Sequence, residues 1–230
     1  MPKTFRKNIA CGICGTVSPG LQGSNRVIHS VTEDGLAIVT IDRPDKANSL
    51  TAGMLRDLTD AFDRIAATGC RAAVLTATGR VFSAGADLDE AKAGLALSPE
   101  WERLSGRVAS LSCLTIAALN GTLAGGAFGM ALACDLRIAV PEARFFYPVM
   151  RLGFLPQRSD PFRLARLVGP ARAKMILMAG QRIEAPEALA WGLIDRIVPP
   201  TDLMDAARAL AGDALSAAPD HVAAIKAMVV

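Results

Sequence analysis

Two glycine-bearing turns hold the residues of this chain best suited to chemistry. The first lies in Asn120 to Asp135, where Gly121, Gly125, Gly126 and Gly129 fall within nine residues. An apolar run, Leu114 to Leu119, leads into it and reads as a strand. After the glycines an apolar helical pattern begins. A strand that breaks on glycines and restarts as a helix leaves free N–H groups at the helix start, which suit an anion or a developing oxyanion. The second turn lies in Arg80 to Leu88. Apolar runs at Ala72 to Leu75 and Val81 to Ser83 lead to Ala84-Gly85-Ala86 and then to a helix start at Asp87. Two such turns can aim one N–H each at a single oxygen.

Other readings of the first turn stay open beside the oxyanion hole. Ala124-x-Gly126-x-x-Gly129 comes near a dinucleotide-binding fingerprint, but its first glycine is missing. Where an acidic strand-end residue would follow, the chain has Phe145, Phe146 and Tyr147. Alternatively, the glycines serve only to seat a helix closely on a sheet.

The elements that must position these turns read as follows. Val27 to Val31 and Leu36 to Ile41 are strands, with a turn at Glu33-Asp34-Gly35. Thr51 to Thr68 is a helix with Met54, Leu55, Leu58, Phe62 and Ile65 on one face. The strand Arg71 to Thr76 follows, and strand–helix–strand order argues for a parallel crossover. Ala91 to Ser98 reads as a loose connection. Pro99 to Leu111 reads as a helix whose acids and bases form a solvated face. Leu136 to Val140 is a strand and Arg144 to Tyr147 a short run. Asp160 to Val168, Ala171 to Ala179, Ala185 to Ala190, Thr201 to Ser216 and Asp220 onward read as helices, punctuated by Gly169-Pro170 and Gly180.

The 230 residues are 51% hydrophobic and 20% charged, a globular composition long enough for one sizeable core. No apolar run reaches the length of a membrane span. The net charge of +3 belongs to the first 26 residues, which hold Lys3, Arg6, Lys7 and Arg26 and no acid; the remainder is at −1. That balance gives no argument for nucleic-acid binding. Residues 1–25 read as a flexible basic leader containing Cys11-Gly12-Ile13-Cys14, a pair without further metal ligands nearby. Five cysteines with no dense framework suit reduced thiols in a cytoplasm-like compartment. The only histidines, His29 and His221, lie far apart in sequence, which argues against a nucleophile–histidine triad.

Together with Arg43-Pro44-Asp45-Lys46-Ala47-Asn48-Ser49-Leu50, the two turns resemble the enoyl-CoA hydratase/isomerase (crotonase) family, from about Arg26 to the C-terminus. The resemblance implies an α/β fold, a spiral of ββα units over residues 26–200, with C-terminal helices over 201–230 that stop short of the family's full helical region. It implies an acyl-CoA thioester substrate, with no metal or redox cofactor, no membrane or nucleic-acid partner, and a homotrimer or dimer of trimers. The backbone N–H groups of Ala86 and Gly126 would form the oxyanion hole. Lys46, Ala47, Ala84, Asp87 and Leu88 would meet the coenzyme A moiety, Ala84 through its carbonyl to the adenine.

The acid–base equipment departs from the family. Its hydratases carry one glutamate where this chain has Gly129 and a second where it has Val149. Neither residue can move a proton, so plain hydration is not expected. Tyr147 could orient a substrate carboxylate or a water, or simply pack with Phe145 and Phe146. Gln157 stands where some relatives have a carboxylate. Arg151, Arg158, Asp160, Asp89 and Glu90 are further polar residues near the turns. Gly125-Gly126-Ala127-Phe128 looks like the run in methylmalonyl-CoA decarboxylases, which also lack the glutamate pair. A decarboxylase-like enzyme and a non-catalytic acyl-CoA-binding homologue are therefore the alternatives.

Overall fold

The structure, a computed structural model, describes residues 28–229. The expected leader and its Cys11–Cys14 pair lie outside the described residues. Strands β1 (Ile28–Glu33) and β2 (Leu36–Ile41) form an antiparallel hairpin. Its turn puts Asp34 and Gly35 at φ +50° and +83°, the paired left-handed geometry that two-residue hairpins favour. Helix α1 (Ala52–Ala67) then carries the chain to β3 (Ala72–Ala77), parallel to β2, as the expected crossover requires. Thr51 caps α1 by accepting from the Met54 N–H at 3.1 Å. The apolar face of α1 is the expected one. All six residues of β3 are buried, the signature of a parallel strand covered on both faces.

From β3 onward the chain repeats one unit. β4 (Val81–Ser83) is followed by α2 (Leu88–Lys92) and α3 (Glu100–Ala109). Next come β5 (Leu114–Leu119), β6 (Thr122–Ala124) and α4 (Phe128–Leu132), then β7 (Leu136–Ala139), β8 (Arg144–Phe146) and α5 (Val149–Leu152). The first strand of each unit joins one sheet and the second joins another. β3, β5 and β7 are therefore neighbours in the larger sheet, and β4, β6 and β8 in the smaller. That double succession is the spiral of ββα units.

Helices α6 (Asp160–Val168) and α7 (Pro170–Leu177) follow, then β9 (Ile183–Glu184), α8 (Ala185–Trp191) and β10 (Arg196–Ile197). β9 closes the smaller sheet antiparallel to β8, and β10 extends the larger sheet parallel to β7. Helix α9 (Leu203–Ser216) packs across β3, β5 and β7, burying Leu203, Ala207 and Ala211, and α10 (Pro219–Met228) ends the described chain.

Several local expectations need correction. The helix expected to start at Asp87 is α2, and the segment read as a loose connection, Ala91 to Ser98, holds its last two residues and a 3-10 turn at Leu95–Leu97. Asp87 starts α2 by accepting from the Asp89 N–H at 3.1 Å. The charged residues of α3 are not all solvated: Glu102 and Arg107 are half-buried, and Arg107 pairs with Asp63 of α1 at 2.6 Å, while Trp101, Leu104, Ser105 and Val108 form the buried face. β6, β9 and β10 went unread, because two or three residues carry no periodicity. No described helix is long and apolar enough to cross a membrane.

Candidate active site

The site begins as a consequence of sheet order. β4 and β6 are parallel neighbours, with Val81 opposite Thr122 and Ser83 opposite Leu123. The turns that leave them therefore emerge side by side. Gly85 has φ +92°, and a Cβ there would stand 2.9 Å from the Ala124 carbonyl oxygen and 3.5 Å from the Gly126 nitrogen. Only glycine allows that approach. Gly125 is likewise left-handed, at φ +56°.

The loop after β2 straps the first turn in place. The Ala84 N–H donates to the Ala47 carbonyl at 3.0 Å, Leu50 N–H to Gly85 at 2.7 Å, and Asp87 N–H to Leu50 at 2.9 Å. Buried Asn48 organises this loop from φ +52°. Its amide nitrogen donates to the Thr78 and Val81 carbonyls at 2.8 and 2.6 Å, and its oxygen accepts from the Arg43 N–H at 2.8 Å. Ser83 Oγ donates to the Asn48 carbonyl at 2.8 Å and accepts from the Gly85 N–H at 3.2 Å. The backbone N–H groups of Ala86 and Gly126 donate to no group among the described residues. Gly126 is the second residue of the 3-10 turn Gly125–Ala127 before α4, where N–H groups have no partner inside the helix.

Both turns face one cavity of about 150 Å³. Ala84, Ala86, Gly125 and Gly126 line it, together with Tyr147, Val149 and Gln157. Leu88, Trp101 and Leu155 add apolar surface. The expected pocket residues Ala86, Gly126, Tyr147, Gln157, Ala84 and Leu88 are thus brought together.

Beside the Gly126 turn stands a buried polar cluster. Tyr147 stacks on Phe128, centroids 5.4 Å apart, and not on Phe145 or Phe146. Phe145 is in the core, while Phe146 lies under the Arg182 guanidinium at 4.6 Å. The Tyr147 hydroxyl lies 2.9 Å from Asp160 Oδ2 and 3.1 Å from Gln157 Oε1. Burial, and then the neighbouring Asp160 charge, pushes the Tyr147 hydroxyl far above its ordinary value. Asp160 is fully buried, and its Oδ1 has no hydrogen-bond partner. Burial pushes its carboxyl up to about 7, against the lowering pull of the Tyr147 hydrogen bond and of Arg163.

Gly129 faces this cluster. A Cβ there would come 2.9 Å from Asp160 Oδ1 and 3.2 Å from Gln157 Oε1. A Cβ on Gly126 would come 3.0 Å from Gln157 Nε2 and 3.2 Å from the Trp101 ring. Glu102 of α3 anchors the segment: its Oε2 accepts from the Ser159 N–H at 3.2 Å and the Ser159 hydroxyl at 3.1 Å.

The remaining sequence candidates fall elsewhere. Lys46 is exposed in a 3-10 turn, and Ala47 follows it at φ +50°. Asp87 pairs with Arg43 at 2.9 Å, and that hydrogen bond holds its carboxyl below its ordinary range. Glu90 accepts from the Ala52 N–H at 2.6 Å, so it serves the start of α1 and not the cavity. Asp89 is exposed beside Lys92. Arg151 lines a separate cavity with Phe146, Met178 and Arg182, and Arg158 is exposed. The sequence reading missed Glu102 and Asn48 as positioning residues. Asn48 left one signal, its place in the run Arg43–Leu50 between the strand β2 and the helix α1.

The model of the enoyl-CoA hydratase/isomerase family matches residues 31–230. The carnitinyl-CoA dehydratase of Proteus mirabilis is 38% identical over 207 residues, covering 86% of this chain and 78% of the relative. Among solved structures, the enoyl-CoA hydratase from Bacillus anthracis superposes with a TM-score of 0.81 at 31% identity, covering 87% of this chain and 81% of that one. The enoyl-CoA hydratase/isomerase from Pseudoalteromonas atlantica T6c superposes at 0.82 and 29% identity, covering 89% and 82%. The chain belongs to the enoyl-CoA hydratase/isomerase family, with the crotonase fold, and acyl-CoA thioesters are the substrates of that family.

Proposed function

We propose that this chain is an acyl-CoA thioester enzyme that stabilises an enolate between the N–H groups of Ala86 and Gly126, and that it is not a plain hydratase. The observation that carries this is the contact of the two turns, with both donors free at one cavity. When a proton or a carboxylate leaves the carbon beside a thioester carbonyl, charge moves onto the carbonyl oxygen. A fixed donor aimed at that oxygen contributes about 3–4 kcal/mol. Ala84 and Leu88 line the cavity, Ala47 accepts from the Ala84 N–H, and in this reading they would hold the coenzyme A portion together with Lys46 and Asp87. Coenzyme A is then part of the substrate, and no step calls for a metal or redox cofactor.

Val149 lines the cavity and Gly129 backs onto Asp160, so neither family glutamate position offers a carboxylate. Water activation loses its usual base, a factor of roughly 10² to 10⁴. Decarboxylation of a malonyl-type thioester is the second reading. It needs the two donors and a group to orient a carboxylate, and Tyr147 is among the residues that line the cavity. The family's trimeric assembly and a reducing, cytoplasm-like compartment belong to the same proposal; the buried free thiols Cys70, Cys113 and Cys134 suit the latter.

A binding and turnover screen tests this. Crotonyl-CoA, a 3-enoyl-CoA, methylmalonyl-CoA and butyryl-CoA are each offered to the wild type and to Gly126→Pro, which removes one donor N–H. All four bind the wild type, crotonyl-CoA is not hydrated at an appreciable rate, and turnover of any substrate is lost in the variant. Rapid crotonyl-CoA hydration would overturn the second half of the proposal. No binding by a folded protein would overturn the whole.

A further inference from the structure

We propose that Asp160 and Tyr147 form a proton relay that takes the place of the family glutamates, with Tyr147 touching the substrate and Asp160 supplying the proton behind it. This rests on the enolate reading above. The geometry begins with proton counting. Tyr147 has one hydroxyl hydrogen and two oxygens in reach, Asp160 Oδ2 at 2.9 Å and Gln157 Oε1 at 3.1 Å. If Asp160 is ionised, one hydrogen must serve two acceptors, and Oδ1 is a buried charge without a partner. If Asp160 is protonated at Oδ2, its O–H donates to Tyr147 and Tyr147 donates to Gln157, and the unpartnered Oδ1 is a neutral carbonyl oxygen and not a buried charge. Gln157 Nε2 then faces the Gly126 side of the cavity.

The surroundings decide which state rests. Asp160 opens α6, whose N-terminus favours the charge by about 0.3–1 kcal/mol. Arg163, one turn on, favours it too, but its guanidinium donates to Ser159 Oγ at 2.7 Å. From α3, Glu102 opposes the charge and Ser105 lies across the Gly129 gap. From α4, Gly129 offers no polar side chain. Burial is the largest influence and sets the carboxyl at about 7, so both forms exist near neutrality. The missing side chain at Gly129 is what makes room for the carboxyl.

The step balances. As an enolate collapses, the Tyr147 O–H bond breaks and an α-C–H bond forms. The Asp160 O–H bond breaks and the Tyr147 O–H bond re-forms. The negative charge passes from the thioester oxygen to the Asp160 carboxylate. Run backwards, the same pair removes an α-proton, which requires Asp160 ionised. Between turnovers the pair exchanges its proton with water at the open cavity.

Tyr147 is the only tyrosine of the chain, so one labelled resonance reports the pair. The test follows the 13Cζ signal of tyrosine-labelled protein from pH 5 to 9, and exchange of the α-protons of butyryl-CoA in D2O. A step near pH 7 in the Tyr147 signal is expected in the wild type and absent in Asp160→Asn. Exchange is expected to rise through about pH 7. In Asp160→Asn and Tyr147→Phe it is expected to be at least roughly 10²-fold slower, and flat with pH in the first. A step that survives Asp160→Asn, or exchange unaffected by either substitution, would overturn the relay and leave the oxyanion hole standing; binding of butyryl-CoA without any exchange would overturn the enolate reading and the relay with it. Failure of butyryl-CoA to bind would instead overturn the enolate reading, and the relay with it.

Discussion

Gly129 and Asp160 share one space: a Cβ on the glycine would stand 2.9 Å from the Oδ1 of the carboxyl. A side chain at residue 129 and the carboxyl of residue 160 therefore compete for the same space. Gly129→Ala is expected to cost about 1–3 kcal/mol, as overpacking of a close-fitted core does. Gly129→Glu is expected to cost more and not to create hydratase activity, because the new side chain meets Asp160 and Gln157 before it reaches the cavity. Urea unfolding and a crotonyl-CoA assay check both. A stable, hydrating Gly129→Glu would show that the cluster yields freely.

Stability follows from the same buried carboxyl. Folding moves Asp160 from 3.8 to about 7. Between these values the folded chain holds more protons than the unfolded chain, so stability falls as pH rises through that window. Above about 7 the penalty is complete, about 4 kcal/mol at most at 1.36 kcal/mol per unit. Asp160→Asn lacks this dependence. Relative to the wild type, the variant is expected to gain up to about 3 kcal/mol between pH 5 and pH 8. Urea midpoints at the two pH values measure the change. An equal difference at both would mean that Asp160 does not titrate in this range.

Much of the framework was legible because its causes are local. The run Leu114–Leu119 is a strand as read, since a buried parallel strand is apolar throughout. The turns at Gly85 and Gly126 were legible because backbone chemistry leaves glycine as its trace. The polar cluster was legible only as a set of neighbours in sequence. Glu102 meets Ser159 across 57 residues, and the Gly129–Asp160 fit across 31. No spacing rule links such pairs; sheet order does, by laying α3, α4 and α6 together. Glu102 read as a solvated acid because helix periodicity sorts apolar from polar residues and says nothing of which polar residue finds a partner.

Glu102 gives a graded test of how the cluster is held. Its carboxylate accepts two hydrogen bonds from Ser159, one residue before Asp160. Hydrogen bonds to a charged group contribute about 1.5–3 kcal/mol, so Glu102→Ala is expected to destabilise by about that much. Glu102→Gln keeps an acceptor but removes a charge that raises Asp160. The Tyr147 step is then expected to move to lower pH. A step that stays in place would show that burial alone sets it.

Arg137 separates fold from site. It is buried on β7, and its guanidinium donates to the carbonyls of Leu193, Cys134 and Asp135 at 3.0, 2.7 and 3.3 Å. Asp195 lies 3.6 Å away and also accepts from the Arg137 N–H at 2.7 Å. The planar fork thus ties β7 to the turn before β10, and a lysine cannot reach three carbonyls with that geometry. Arg137→Met leaves those carbonyls without donors and is expected to cost about 3–5 kcal/mol. Arg137→Lys is expected to recover only part. None of these partners borders the cavity. The fraction of either variant that remains folded is therefore expected to bind butyryl-CoA with wild-type affinity, measured by calorimetry on protein selected by size exclusion. Weakened binding by a folded Arg137 variant would mean that the larger sheet transmits strain to the two turns.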